Sequence, residues 1–172
     1  MTSAQQVCDL AAGRLAGWEG LSPFRLEAAP SCLGPPEREG WLDLGRGATA
    51  YRVCRTVPDH VEVWLFHPPG EVVCLVEVYP PATADPVGTL LDALGEPDLL
   101  YEYPLAGRLQ RMLGRSGEGL DERVYGSRGL AVAVTHRAGR EQQLFRLRGF
   151  RPARAEEYYA DFVDLPEPRF LE

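Results

Sequence analysis

Short runs of hydrophobic residues, several of them alternating with polar residues, predict eight β-strands in this chain. Val61, Val63 and Leu65, for example, alternate with Glu62 and Trp64, which is the period-two pattern of a strand with one buried face. Clusters of glycine and proline separate the runs and supply the turns. The predicted strands span residues 41–44, 49–55, 61–66, 72–79, 99–103, 122–125, 130–136 and 142–150.

Hydrophobic residues three and four positions apart predict helices before, between and after these strands. The second predicted helix begins at Ser22-Pro23, where serine can cap the helix and proline suits its first position. The predicted helices span residues 3–16, 22–30, 85–94 and 155–165. An insertion at 104–119 is expected to add one or two helical turns and a glycine-rich loop.

A Leu-x-x-Pro landmark recurs along the chain together with the elements around it. Leu-Gly-Pro-Pro at 33–36 returns as Leu-Gly-Glu-Pro at 94–97 and as Leu-Pro-Glu-Pro at 165–168, at spacings of 61 and 71 residues. His67 and His136 mark a further pair of matching turns, 69 residues apart. We interpret this pattern as two diverged copies of one unit, followed by the opening of a third.

The predicted fold class is therefore α+β. It comprises two tandem repeats, in which one or more helices precede an antiparallel sheet of about four strands, with the helices on one face. The first unit spans 1–82 and the second spans 83–153, and residues 154–172 form a capping helix with an acidic tail. Because no low-complexity linker divides the units, we expect them to pack into one body.

Alternation also divides the strand residues between two faces of the sheet. Two arginines on one strand rarely point into a core. The face that carries Arg146 and Arg148 is therefore predicted to lie outside the core. The face that meets the helices is then predicted to carry Val61, Val63, Leu65, Cys74, Val76, Leu130, Val132, Val134, Phe145 and Leu147. The opposite face is expected to be open or covered by something else.

That opposite face carries the residue types that are enriched at interaction hot spots, namely Trp, Tyr and Arg. It is aromatic and acidic in the first unit, and basic over small residues in the second. The predicted partner-binding residues are Glu62, Trp64, Phe66, Leu75, Tyr79, Arg146 and Arg148. The alternative is that Trp64 and Phe66 pack under the loop 104–119 or between the units, because large exposed apolar patches are uncommon in monomers.

Composition limits the class of partner. A net charge of −7 argues against a nucleic-acid-binding protein, which usually carries a basic patch. No apolar window approaches the roughly 18 residues that a membrane span needs. The chain lacks Lys, Asn and Ile, so all 18 basic residues are arginine, and a GC-rich bacterial genome is the simplest cause. No signal peptide is recognised, and a cytoplasmic location is expected.

The four cysteines, Cys8, Cys32, Cys54 and Cys74, lie far apart in the sequence. They form no Cys-x-x-Cys pair, and no Cys/His spacing matches a zinc site. Free cysteine behaves as a small core hydrophobe, so buried free thiols are expected.

Candidate chemistry is sparse. The chain has no Gly-x-Ser-x-Gly or His-Glu-x-x-His motif, and the glycine-rich segment 114–119 lacks the Lys-Ser/Thr of a phosphate loop. His67 and His136 could share a metal across a pseudo-twofold axis, but no third ligand lies near them in the sequence. Asp121 and Glu122 are expected to be solvated. No metal or cofactor is therefore predicted.

The Leu-Gly-x-Pro motif at 33–36 and 94–97, each time followed by strands, resembles the β-lactamase-inhibitor-protein-like architecture. That group also includes small outer-membrane lipoproteins of the barrel-assembly machinery. Its members carry tandem helix-and-sheet repeats, and their concave sheet binds a protein partner. The resemblance covers most of the chain and implies the same fold and the same sheet-face binding.

These features predict a non-enzymatic protein that binds a protein or peptide. The expected setting is that of an immunity or inhibitor protein, or of an accessory that binds a precursor peptide in a natural-product pathway. One alternative is a small enzyme with a pocket between the units, near Tyr101, Tyr103 and His136. Another is a homodimeric structural module that buries the aromatic face on itself.

Overall fold

A computed structural model gives the architecture and describes residues 3–15, 17–28, 30–43, 48–68, 72–79, 87–103, 118–137, 141–162 and 169–171. Its helices are α1 (Ser3–Ala11), α2 (Gly88–Leu94) and α3 (Ala155–Phe162), with 3-10 turns at Leu26–Ala28 and Gly126–Arg128. The first six strands are β1 (Phe24–Arg25), β2 (Arg38–Asp43), β3 (Ala48–Arg55), β4 (Glu62–His67), β5 (Val72–Val73) and β6 (Leu75–Tyr79). The others are β7 (Leu99–Glu102), β8 (Glu118–Tyr125), β9 (Leu130–Arg137), β10 (Gln143–Phe150) and β11 (Arg169–Leu171).

Nine of these strands form one sheet in the order β11-β2-β3-β4-β6-β10-β9-β8-β7, while β1 and β5 form a separate pair. Every strand pairing within the described residues is antiparallel. The order contains two meanders, β2-β3-β4-β6 and β7-β8-β9-β10. They meet where their last strands, β6 and β10, hydrogen-bond along the seam.

The last three strands of the two meanders share a register at a shift of 69 positions along the chain, but the first strands do not: Val53 pairs with Arg38, whereas its match Glu122 pairs with Tyr101. The matching ladder pairs are Val53–Trp64 with Glu122–Ala133, and Val63–Val78 with Val132–Leu147. Strands β3, β4 and β6 therefore present the same positions to one another as strands β8, β9 and β10 do.

The α+β class with an antiparallel sheet is confirmed, and each of the eight predicted strands is present. The predicted helix over 22–30 is wrong, because Phe24–Arg25 pairs with Val72–Val73 as a strand and only one 3-10 turn follows. The tail also differs from the prediction, since residues 169–171 pair with β2 at the sheet edge. The predicted insertion 104–119 lies outside the described residues, except for 118 and 119, which begin β8.

The predicted helices over 3–16, 85–94 and 155–165 are present in shorter form. Within the first, Gly13 adopts a positive φ of 68° and its N–H donates to the Leu10 carbonyl, which ends α1 early. Residues 85, 86 and 163–165 lie outside the described part of the chain. None of the described helices is long and apolar enough to cross a membrane.

The sheet separates two cores. The core on what we term the first face lies under α1, α2 and the segment around Trp18 and Leu21, and it includes the predicted residues Val61, Val63 and Leu65. Residue 149 at the seam is glycine, and a Cβ there would lie within 3.0 Å of Trp18 and Leu10. Its absence lets these two side chains pack directly on the seam. The core on the second face includes Leu42, Tyr51, Val53, Phe66, Leu75, Val124, Ala131, Phe150, Ala155 and Tyr158.

Two residues that were predicted to face the helices do not do so. Cys74 is exposed, because Val73 packs in the first core and Leu75 in the second, so that the alternation shifts at Cys74. Phe145 is only half-buried and contacts Tyr79 edge to face. A register irregularity between residues 144 and 146 moves it out of phase with the strand.

The prediction of four buried free thiols is also wrong. Cys8 in α1 and Cys32, which precedes β2, form a disulfide, while Cys54 is buried and free. No sequence pattern marks this pair, because 24 positions separate the two residues. Packing of α1 onto the sheet is what brings them together, and the bond ties this helix to the first meander.

Candidate functional site

All seven predicted partner-binding residues lie on the second face, on three adjacent strands. A continuous row crosses the sheet there at directly paired positions. Its members are Arg38, Val53, Trp64, Glu77, Arg148, Ala131 and Val124. The aromatic and basic residues that the sequence placed on one face are therefore neighbours, but burial divides them into two groups with different roles.

The first group is a buried set of two carboxylates and two guanidiniums, which we call the ion cluster: Glu77, Glu122, Arg146 and Arg148. Arg148 contacts Glu77 at 2.7 Å through both Nε and Nη2. Arg146 Nη2 donates to Glu122 Oε1 at 3.0 Å. The Glu122 side chain is completely buried, and 11% or less of each of the other three is exposed. Two positive and two negative groups make the cluster neutral.

Small residues on β9 make this cluster possible. Ala131 and Ala133 pair with Arg148 and Arg146 on one side, and Ala133 pairs with Glu122 on the other. Both alanines are fully buried. Because a methyl group fills so little of the face, the arginine side chains of β10 can pass over β9 and reach the carboxylate on β8.

Three tyrosine hydroxyls add hydrogen bonds to the cluster, whereas the buried Nε of Arg146 has no hydrogen-bond partner in the described part of the chain. Tyr79 donates to Glu77 at 2.8 Å, and Tyr103 donates to Glu122 at 2.6 Å. Arg148 Nη1 donates to the hydroxyl of Tyr158 in α3 at 2.9 Å. The Tyr158 contact ties α3 to the centre of the sheet, so that this helix covers part of the face that the sequence left open.

Burial and charge act in opposite directions on the two glutamates. Burial alone raises the pKa of the Glu77 carboxyl, but Arg148, Arg146 and the Tyr79 hydrogen bond outweigh it, and the net pKa lies below its ordinary value. The same balance lowers the pKa of Glu122, where Arg148 and Arg146 again oppose burial. Burial, together with the nearby Glu122 charge, raises the pKa of Tyr103 to about 12. Both carboxylates are therefore ionised near neutral pH.

The ion cluster should make folding stability depend on acidity. A carboxyl whose pKa is lowered in the folded state adds stability that is present above the unfolded-state pKa of about 4.3, and that is lost as pH falls towards the lowered value. We expect urea unfolding midpoints to be flat from neutral pH to about 5 and to fall steeply below about 4. In Glu77→Gln, the steep part should be reduced, because one of the two titrating groups is missing. An unchanged acid profile in that variant would contradict the assignment.

The second group, which we call the aromatic patch, consists of Arg38, Tyr51, Trp64 and Phe66. Arg38 is exposed and Trp64 is half-buried, while Tyr51 and Phe66 are buried beside them. The ring centroids of Tyr51 and Phe66 lie 5.2 and 6.0 Å from that of Trp64, with near-parallel planes. The Arg38 guanidinium lies 4.8 Å from the Trp64 ring centroid. Trp64 Nε1 donates to Glu62 at 2.6 Å. These contacts hold the half-buried indole in one orientation.

Burial differs sharply among the predicted site residues. Phe66, Leu75 and Arg148 are buried, and only 11% of the Arg146 side chain is exposed, so at these four residues the face is covered, which is the second of the two expected possibilities. They support the face from within. Trp64, Glu62 and Tyr79 are only partly buried and remain available to a partner.

The residues named for an enzyme pocket lie on opposite faces of the sheet. Tyr101 and Tyr103 contact each other edge to face at 4.8 Å on the second face. His136 lies on the first face, where its Nδ1 is 3.3 Å from Asp121. Among the residues that the structure describes, no group of three or more His, Cys, Asp or Glu side chains is arranged to hold a metal ion.

Several residues of this face were missed in the sequence, among them Tyr51, Glu122 and Arg38. Glu122 was expected to be solvated, yet its side chain is completely buried. The alanines that lie opposite two arginines were the feature of the sequence that could have indicated this. Arg38 lies before the predicted start of its strand, at 41, so its place on the face was not foreseen. Comparison of the chain with family models, with curated proteins and with solved structures gives no match.

Proposed function

We propose that this protein binds a protein or peptide partner at the aromatic patch. The observation that carries the proposal is Trp64, a half-buried indole held by two aromatic neighbours, a guanidinium and a hydrogen bond. An aromatic side chain that is already ordered loses little conformational entropy on binding. Tryptophan and arginine are also among the residues that dominate binding energy at interfaces.

The ion cluster serves this function indirectly, as a rigid support. It joins β6, β8 and β10 to α3 through buried charge-assisted hydrogen bonds, which are stronger than neutral ones. Its charges are compensated internally, so it offers a partner little net attraction. Arg146 and Arg148 are therefore assigned to the support of the face, in place of the direct contact first expected of them.

We further propose that the chain arose by duplication of one helix-and-meander unit. The supporting observation is the register that the last three strands of each meander share at a shift of 69 positions. In this alignment Leu147 corresponds to Val78, which is the same 69-residue spacing that separates His67 from His136. The last strands of the two units pair antiparallel, which is the arrangement of two copies about a twofold axis.

The biological setting remains that of an immunity or inhibitor protein, or of an accessory that binds a precursor peptide. The Cys8–Cys32 disulfide weighs against the cytoplasmic location expected from the sequence, because structural disulfides persist mainly in oxidising compartments. An inhibitor that acts outside the cytoplasm fits this bond better than a cytoplasmic accessory does. Products of the neighbouring genes are the first candidate partners.

Replacing Trp64 by alanine should weaken binding of the cognate partner by at least about 30-fold while the fold survives. Loss of a central aromatic anchor typically costs at least about 2 kcal/mol, which is roughly a 30-fold weaker affinity. Titration calorimetry against each neighbouring gene product would measure the affinity of the variant and of the unmodified protein.

The chain offers a matched control for this experiment. Trp41 is 44% exposed on β2, and because Leu42 beside it packs in the second core, Trp41 faces the opposite side of the sheet. Trp41→Ala should leave affinity unchanged. Equal losses in the two variants, or a loss confined to Trp41→Ala, would refute binding at the aromatic patch.

A further inference from the structure

The charged side chains around the aromatic patch differ in whether they have a partner of opposite charge within the chain. Arg55 donates to both oxygens of Glu37 at 3.1 Å, and it also reaches Glu62. Glu62 in turn accepts from Trp64 Nε1. The carboxylates beside Trp64 are therefore already engaged within the chain.

Arg38 is the exception in this neighbourhood. It is exposed, its guanidinium stacks on the Trp64 ring, and no ion pair joins it to another residue in the described part of the chain. Stacking against an aromatic ring leaves the in-plane N–H groups of a guanidinium available to an acceptor. Because the stack also orders the side chain, binding there costs less entropy than binding at a mobile surface arginine.

Resting on the proposed function, we infer that Arg38 and Trp64 together recognise a carboxylate on the partner. An Asp or Glu side chain of the partner accepts hydrogen bonds from Arg38, while an apolar side chain next to it packs against Trp64. A planar guanidinium matches the two oxygens of a carboxylate.

The charge of the chain sets the kind of segment that fits. The protein carries a net charge of −7, so a polyanion such as nucleic acid is repelled as a whole. A mostly neutral peptide with a single acidic residue among apolar ones can pair its carboxylate with Arg38 without that repulsion. The occupant is therefore a short acidic–apolar segment of a partner protein.

Two soluble synthetic peptides that differ in one residue test this inference. Both carry Ser-Leu-X-Leu-Ser at their centre, with Glu at X in one and Gln in the other. The readouts are the NMR signals of the Trp64 indole N–H and of Arg38 Nε–H in labelled full-length protein. We expect saturable shifts of both signals, with the Glu peptide binding about fivefold more tightly than the Gln peptide, as for an exposed ion pair near 1 kcal/mol.

Three variants give the result its specificity. Arg38→Gln should abolish the preference for Glu, and Arg38→Lys should retain only part of it, because lysine keeps the charge but loses the planar fork. Arg151→Gln removes an exposed arginine outside the strands and should leave the preference intact. Equal loss in Arg38→Gln and Arg151→Gln would show non-specific attraction and overturn the inference.

Further outcomes separate this inference from the proposed function. Equal binding of the two peptides, no shift with either peptide, or shifts confined to Trp41 would overturn the carboxylate site. A cognate partner whose binding depends on Trp64 but not on Arg38 would leave the proposed function standing and remove only the carboxylate. Concentration-dependent self-association that broadens the Trp64 signal without peptide would assign the patch to a second copy and overturn the peptide occupant.

Discussion

Replacing Glu122 by glutamine is expected to lower the free energy of unfolding by about 3–5 kcal/mol, the usual cost of breaking a buried ion pair from one side. Glu122 is completely buried and lies 3.0 Å from Arg146 and 3.5 Å from Arg148. Glutamine keeps the size of the side chain and can still bond to Tyr103. It leaves two buried guanidiniums facing one carboxylate, however, so one positive charge is uncompensated. Urea denaturation at neutral pH would measure the loss.

Two control variants test whether burial of Glu122 causes the loss of stability. Glu157 pairs with Arg154 at 2.9 Å, but 49% of its side chain is exposed, so Glu157→Gln should leave the unfolding midpoint nearly unchanged. The double variant Glu122→Leu with Arg146→Met removes one charge of each sign and should recover much of the lost stability, because apolar replacements of buried pairs are often neutral. If Glu122→Gln is as stable as the unmodified protein, Glu122 does not compensate the buried arginines.

Removal of the Cys8–Cys32 disulfide is the second large effect. The bond closes a loop over 24 positions, and in the chain-entropy description a loop of that length contributes about 3 kcal/mol to folding stability. Its loss also releases α1, whose Val7 and Leu10 are completely buried against the seam. We expect the free energy of unfolding, measured by urea denaturation, to be lower by this amount in the reduced protein. Hydrogen exchange should show α1 opening before the sheet does.

Thiol counting and a cysteine control make this prediction specific. The protein refolded in a glutathione buffer should contain two free thiols after denaturation, and four after reduction, because Cys54 and Cys74 are unpaired. Cys74→Ser should leave the response to reductant unchanged. Four thiols before reduction, or identical unfolding curves in the oxidised and reduced states, would show that the bond does not stabilise the fold.

Local periodicity determined the strands of this protein and much of their sidedness. Successive side chains of a strand point to opposite faces, whatever the strand packs against. Val61, Val63 and Leu65 could therefore be assigned to one face from their spacing alone. The same logic placed Trp64, Arg146 and Arg148 on the other face. Residue 145 shows where this logic stops, because an irregular register changes the phase of alternation without any mark in the sequence.

The part that only the tertiary structure decided concerns which residues meet across long sequence distances. Burial of Arg146 and Arg148 depends on Glu122 from β8, Glu77 from β6 and Tyr158 from α3. Prediction from the sequence alone places arginine at the surface, because an unpaired buried charge is costly. Opposite charges offset that cost when they converge, and convergence is a property of strand order. The disulfide follows the same rule, since the docking of α1 brings Cys8 to Cys32.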